Sequence, residues 1–158
     1  MPNYFLDTSA WAKLYHRELG SEFMARIVSV PGSGLFVSHL SIVEMESVFA
    51  IKLRTGEIGE PQAEIARRSL RADLSQRRLR LGPPFQPQHF QVARHLLVKY
   101  GASEGLRTLD ALQLAMALDL KLAGQMAVLV AADQRLCRVA ALAGCPAENP
   151  EQPPAVGI

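Results

Sequence analysis

Residues 127–136 read Ala127-Val128-Leu129-Val130-Ala131-Ala132-Asp133-Gln134-Arg135-Leu136. Six apolar residues of this stretch precede Asp133 in a row, and with no polar alternation Ala127 to Ala131 suit a strand buried on both faces, as in the middle of a parallel sheet. The run closes on Asp133, and a helical pattern covers residues 134–142. The same device opens the chain. Tyr4-Phe5-Leu6 is a short apolar strand that closes on Asp7, with a helix expected over residues 9–19 and stopped at Gly20.

Between these ends, short apolar runs alternate with longer amphipathic ones, which predicts an α/β fold with a parallel sheet. A helix is expected over 21–30, broken by Pro31-Gly32-Ser33-Gly34, and a strand over 35–37. In 41–54 the apolar positions Ile42, Met45, Val48, Phe49 and Leu53 recur at helical spacing. A helix over 60–76 follows Thr55-Gly56 and carries Pro61 in its first turn, where the missing N–H is harmless. These two helices read as a hairpin projecting from the sheet. A strand over 79–81, a helix over 87–100 ending at Gly101, and a helix over 109–122 capped by Thr108 complete the order. The domain is expected to span 1–145, with a Pro-rich tail over 146–158 that is extended or disordered.

Composition narrows the function classes. At 158 residues, nearly half of them apolar, the chain fits one domain with a core that needs no disulfide or structural metal. Cys137 and Cys145 are expected to be small buried hydrophobes, and His16, His39, His89 and His95 form no ligand-spaced pair. No apolar run is long enough for a membrane span, and no secretion signal is read at the start, so a cytoplasmic location with no membrane contact is expected. The net charge is only +2. Six arginines between Arg67 and Arg80, against the single acid Asp73, make that segment +5 and the remainder −3. Such a stripe either tracks a phosphate backbone or is the solvated face of a helix.

Four acids carry the candidate chemistry. In open α/β sheets, sites gather at the carboxyl ends of the strands. Asp7 and Asp133 end strands, while Glu44 and Asp110 are each placed in the first turn of a helix. Carboxylates drawn together repel unless a cation joins them or some stay protonated. Magnesium and manganese take such oxygen ligands, and can activate water against a phosphodiester. Each acid also has a structural reading. Ser41-x-x-Glu44 matches a capping box, Asp110 suits a helix N-terminus, and Asp7 and Asp133 are good N-caps. The two roles are compatible, because a capping acid keeps a second oxygen.

Four short motifs, taken in order, resemble the PIN-domain family, including its VapC-type toxins. They are Tyr4-Phe5-Leu6-Asp7-Thr8-Ser9-Ala10, Ser41-Ile42-Val43-Glu44-Met45-Glu46, Leu106-Arg107-Thr108-Leu109-Asp110-Ala111-Leu112-Gln113-Leu114-Ala115 and Val130-Ala131-Ala132-Asp133-Gln134-Arg135-Leu136. The resemblance spans residues 3 to about 145. It implies a three-layer α/β/α sandwich and a magnesium- or manganese-dependent endoribonuclease. Asp7, Glu44, Asp110 and Asp133 would be the catalytic acids, with Asp7, Asp110 and Asp133 as metal ligands. Thr8, Ser9 and Arg107 would bind substrate, or in the case of the hydroxyls orient Asp7. It further implies a toxin acting on structured RNA such as tRNA, a homodimer, and a cognate antitoxin. One departure bears on a second metal: many members carry a further acid after the fourth, where this chain has Gln134 and Arg135.

Other classes fit less well. A phosphatase using Asp7 as nucleophile needs an Asp two residues on, where Ser9 stands. No Gly-rich phosphate loop follows a strand. A pure interaction module built on the hairpin leaves the four acids unexplained, whereas a non-toxin or non-catalytic PIN domain in RNA binding or processing remains the alternative.

Overall fold

The computed structural model of the chain describes residues 2–153. Met1 and residues 154–158, the end of the expected tail, lie outside them.

The elements in order are β1 Asn3–Leu6, α1 Thr8–Trp11, a 3-10 turn Ala12–Leu14, α2 Ser21–Ser29, β2 Gly34–Val37, α3 His39–Arg54 and α4 Glu60–Ser75. There follow β3 Arg80–Leu81, α5 Pro87–Glu104, α6 Thr108–Leu122, β4 Val128–Val130, α7 Gln134–Leu142 and β5 Ala147–Glu148. The sheet order is β3-β2-β1-β4-β5, with every pair parallel. The chain works outward from β1 to β3, then crosses back to β4. The order therefore reverses between β1 and β4, where a crevice opens beyond the strand ends.

Side-chain alternation divides the core into two layers. Phe5, Phe36 and Leu129, paired across β1, β2 and β4, pack with Leu96, Leu114, Met116 and Leu136 of the helices α5, α6 and α7. Tyr4, Leu6, Leu35, Val37 and Val130 point the other way, onto Trp11, Met24, Met45, Phe49 and Leu70 from α1 to α4. Both faces are covered, which gives the expected three-layer sandwich and explains why the inner strands β2 and β4, and β1 after Asn3, are apolar.

The hairpin of α3 and α4 is present. Arg67 of α4 reaches Glu46 of α3 with two nitrogens at 3.0–3.2 Å and lies over the Phe49 ring at 5.6 Å. Two of the three arginines nearest one another on α4 are thus paired: Arg67 with Glu46, and Arg71 with Glu64 at 3.5 Å.

Several boundaries differ from those the sequence suggests. The helix expected over 9–19 stops at Trp11 and tightens into the 3-10 turn. There the ammonium of the buried Lys13 meets Glu18 at 3.3 Å and Glu151 at 2.7 Å, and its carbonyl accepts from Ser21 Oγ at 2.9 Å. These tertiary bonds replace a further helical turn. Ser38, not Ser41, caps α3, its Oγ accepting from Ser41 N at 3.1 Å. Glu44 therefore lies in the second turn and takes no part in a capping box. Thr108 is the first residue of α6, with Arg107 at the cap position. Gly101 does not stop α5; Gly105, at φ 71°, does.

The chain after Pro146 joins the sheet rather than trailing from it. Leu129 N donates to the Pro146 carbonyl at 2.9 Å, and Ala131 N to that of Glu148 at 3.0 Å. An edge strand needs no N–H from its proline, so Pro146 is tolerated there. Among the described residues no helix is long and apolar enough to cross a membrane. Cys137 and Cys145 are free, and burial raises both thiols, Cys137 to about 11.

Candidate active site

Asp7 leaves β1 at the reversal point and is buried, 7% exposed. It caps α1 through one oxygen only. Ser9 donates to its Oδ2 from both the backbone N–H, at 3.2 Å, and the hydroxyl. The same Ser9 hydroxyl accepts from Ala132 N at 3.0 Å. One small residue thereby ties the end of β1 to the end of β4, and leaves Asp7 Oδ1 without a protein donor among the described residues.

Asp133 repeats the arrangement. Its Oδ1 caps α7 by accepting from Arg135 N at 2.9 Å and Leu136 N at 3.1 Å. Its Oδ2 turns to Arg107 Nη2 at 3.4 Å. Asp110, in the first turn of α6, meets Arg107 Nε at 3.3 Å. Arg107 itself is largely exposed and spans the two acids across the mouth of the crevice.

Glu44 enters from α3. Its Oε1 accepts from Thr8 Oγ1 at 3.0 Å and from Gln113 Nε2 at 2.7 Å. Gln113 is fully buried on α6. Sequence reasoning assigned it no role. The available signal was its polarity: it is the only polar residue among the buried positions Ala111, Leu114, Ala115, Met116 and Ala117 that surround it on α6.

The electrostatics record how closely the acids sit. Burial pushes the Asp7 carboxyl up to about 6, and Glu44 and Asp110 add to the rise against the hydrogen bonds from Ser9. Burial also raises Asp110; Arg107 counteracts this in part and Asp133 reinforces it. The four sequence-predicted acids lie beyond the carboxyl ends of β1 and β4, with Glu44 joined to Thr8 and Gln113 and with Arg107 bridging Asp110 and Asp133. Thr8 and Ser9 direct their hydroxyls to the acids.

Comparison with known proteins gives this arrangement a family. The family model described as PIN domain matches residues 4–142. The chain belongs to the PIN domain family. Its PIN fold is shared with VapC20 from Mycobacterium tuberculosis, a sarcin-ricin-loop-cleaving toxin. That protein is 21% identical, with 96% of this chain and 99% of that chain covered and a TM-score of 0.63. It is shared also with VapBC2 from Rickettsia felis bound to a DNA fragment from their promoter, at 14% identity, 93% and 98% coverage and a TM-score of 0.59. No curated protein matches the chain.

The donor set of this PIN domain suits a hard divalent cation. It offers only oxygens, two of its acids are held partly or wholly out of water, and their mutual repulsion is relieved by positive charge. Arg107 already bridges Asp110 and Asp133, so part of that repulsion is offset within the chain. Among the described residues, the group of three ligand atoms all within 4.8 Å of one another is instead His16, Glu18 and Glu57. There Lys52 already supplies the positive charge, at 3.2 Å from Glu18 and 2.6 Å from Glu57.

Proposed function

We propose that this chain is a metal-dependent endoribonuclease that acts as the toxin of a toxin–antitoxin pair, hydrolysing phosphodiester bonds in structured RNA such as tRNA. The observation that carries the proposal is the meeting of Asp7, Glu44, Asp110 and Asp133 at the β1/β4 reversal, with Asp7 raised to about 6 by burial and by its neighbours. Carboxylates placed this way gain from a bound cation more than they would in water.

Asp7 Oδ1, Asp110 and Asp133 Oδ2 are the oxygens that would hold magnesium or manganese. When bound, such an ion lowers the pKa of a coordinated water and offsets charge developing on the phosphate. Ser9 fixes the Asp7 carboxylate, so its free oxygen faces the crevice. Glu44, held by its Oε1, has no donor to Oε2 among the described residues and is placed to orient a water or accept its proton. Arg107 stands at the exposed mouth and is the group best placed to meet the scissile phosphate. The cytoplasm, where RNA targets are found, is the expected site of action.

An antitoxin partner and a homodimer belong to the same reading. The antitoxin partner is supported by the VapC20 neighbour, a toxin, and by the VapBC2 assembly on promoter DNA; the homodimer is part of the proposal alone. The test is incubation of purified protein with total cellular RNA under magnesium, manganese or chelator, with Asp110→Asn alongside. Cleavage that needs both the metal and Asp110 is the expected result. Intact RNA under every divalent metal would favour a non-catalytic PIN domain that binds RNA.

A further inference from the structure

Gln113 stands out because burying an amide is costly unless every polar atom is bonded. It has no exposed surface. Its Nε2 donates to Glu44 Oε1 at 2.7 Å and to Ser41 Oγ at 2.8 Å, and its Oε1 accepts from Ser38 Oγ at 2.7 Å. Both amide hydrogens and the carbonyl oxygen are thus used, and the pattern fixes which end of the amide faces Glu44. Ser38 follows β2 and caps α3, while Ser41 lies in the first turn of the same helix.

The placement is as telling as the bonds. Gln113 lies three residues after Asp110, on the same face of α6. Its partners lie 69 to 75 residues away in the chain. One side chain therefore couples the helix that carries Asp110 to the helix that carries Glu44. A leucine at this position would leave the buried Ser38 and Ser41 hydroxyls and Glu44 without their amide partner. The amide thus fixes geometry at the junction of α3 and α6 as well as satisfying buried groups.

We infer that Gln113 is a positioning residue of the active site: it sets the orientation of Glu44 and its distance from Asp110 and Asp7. The inference rests on the nuclease reading above. Loss of the amide leaves Glu44 tethered by Thr8 alone, through the same oxygen. The carboxylate then swings, and the acid set loses its preorganisation for a cation and its water.

The test compares Gln113→Met, which keeps the volume and removes the hydrogen bonds, with Gln113→Glu. The glutamate keeps an acceptor for Ser38 but presents a second carboxylate to Glu44. Leu114→Ala serves as a control for stability alone. Three quantities are read: kcat and KM on an RNA substrate, Mn²⁺ affinity by calorimetry, and Tm. For Gln113→Met, kcat is expected to fall about 10- to 100-fold and Mn²⁺ affinity to weaken, with KM changed less than about twofold. Gln113→Glu is expected to lose more, and it decides the matter if the methionine variant does not fold. Leu114→Ala is expected to lower Tm while keeping kcat and Mn²⁺ affinity near wild type. Wild-type kcat and Mn²⁺ affinity in folded Gln113 variants would overturn the inference. So would an equal kcat loss in Leu114→Ala at matched Tm. A wild-type protein that neither binds Mn²⁺ nor cleaves RNA would instead overturn the nuclease reading, and the positioning role with it.

Discussion

Asp7 shows how far one residue can be read. Its place at the end of an apolar strand is visible in the sequence, and so is its suitability as an N-cap. The structure divides these roles between its two oxygens, with Oδ2 bound by Ser9 and Oδ1 left to the crevice. Its carboxyl is raised to about 6 from the ordinary 3.8. A folded-state value above the unfolded one favours the fold at low pH, and that contribution is lost as pH rises through about 6. In the metal-free protein at pH 8, the ionised Asp7 opposes folding by up to about 3 kcal/mol. Asp7→Asn keeps the cap, so it is expected to raise the metal-free Tm at pH 8 and to change it little at pH 4. An unchanged Tm at pH 8 would show that Asp7 ionises freely. Arg107 gives a second prediction. Arg107→Gln is expected to weaken RNA binding and to reduce the slope of log affinity against log salt by about one. An unchanged slope would remove Arg107 from the substrate path. Gln113 was less legible, because its meaning lies in partners from another helix. A polar residue in an apolar stretch of α6 signals only that some partner exists.

Helices and strands were legible where their signals are local. The apolar runs of β1 and β4 and the period of α3 are properties of neighbouring residues. Ends were less so, because tertiary contacts decide them. Ser38, directly after β2, caps α3 in place of Ser41, and its hydroxyl also donates to Gln113 from α6. Gly101 and Gly105 make the same point and can be tested together. Gly101 lies inside α5, where an added Cβ would meet nothing nearer than 3.9 Å, so Gly101→Ala is expected to stabilise by up to about 1 kcal/mol. Gly105 sits at φ 71°, with Arg135 Cδ 3.3 Å from an added Cβ, so Gly105→Ala is expected to destabilise by about 1 kcal/mol or more. Denaturant unfolding of both variants checks the pair, and equal shifts would contradict the assignment of the helix end.

For the molecule as a whole, the parallel sheet was implied by the alternation of runs, whereas its strand order and reversal point depend on pairings between distant segments and were not. The fifth strand was not, because a two-residue strand among prolines has no periodicity to read. It nonetheless closes the edge beside β4, and the chain beyond it brings Glu151 to the buried Lys13. Ending the chain at residue 145 is therefore expected to cost about 1–3 kcal/mol in chemical denaturation. A truncated protein as stable as the full chain would make the segment an appendage.

Whether the four acids at the β1/β4 reversal form a cation site is decided by calorimetric titration with Mn²⁺ at pH 6, in two buffers of different ionisation enthalpy. Asp7 is close to half protonated there, so binding is expected to release about half a proton, and less at pH 8. Asp7→Asn is expected to lose both the tight binding and the proton release. Mn²⁺ binding that is absent in the wild type, or that survives unchanged in Asp7→Asn, would contradict the account.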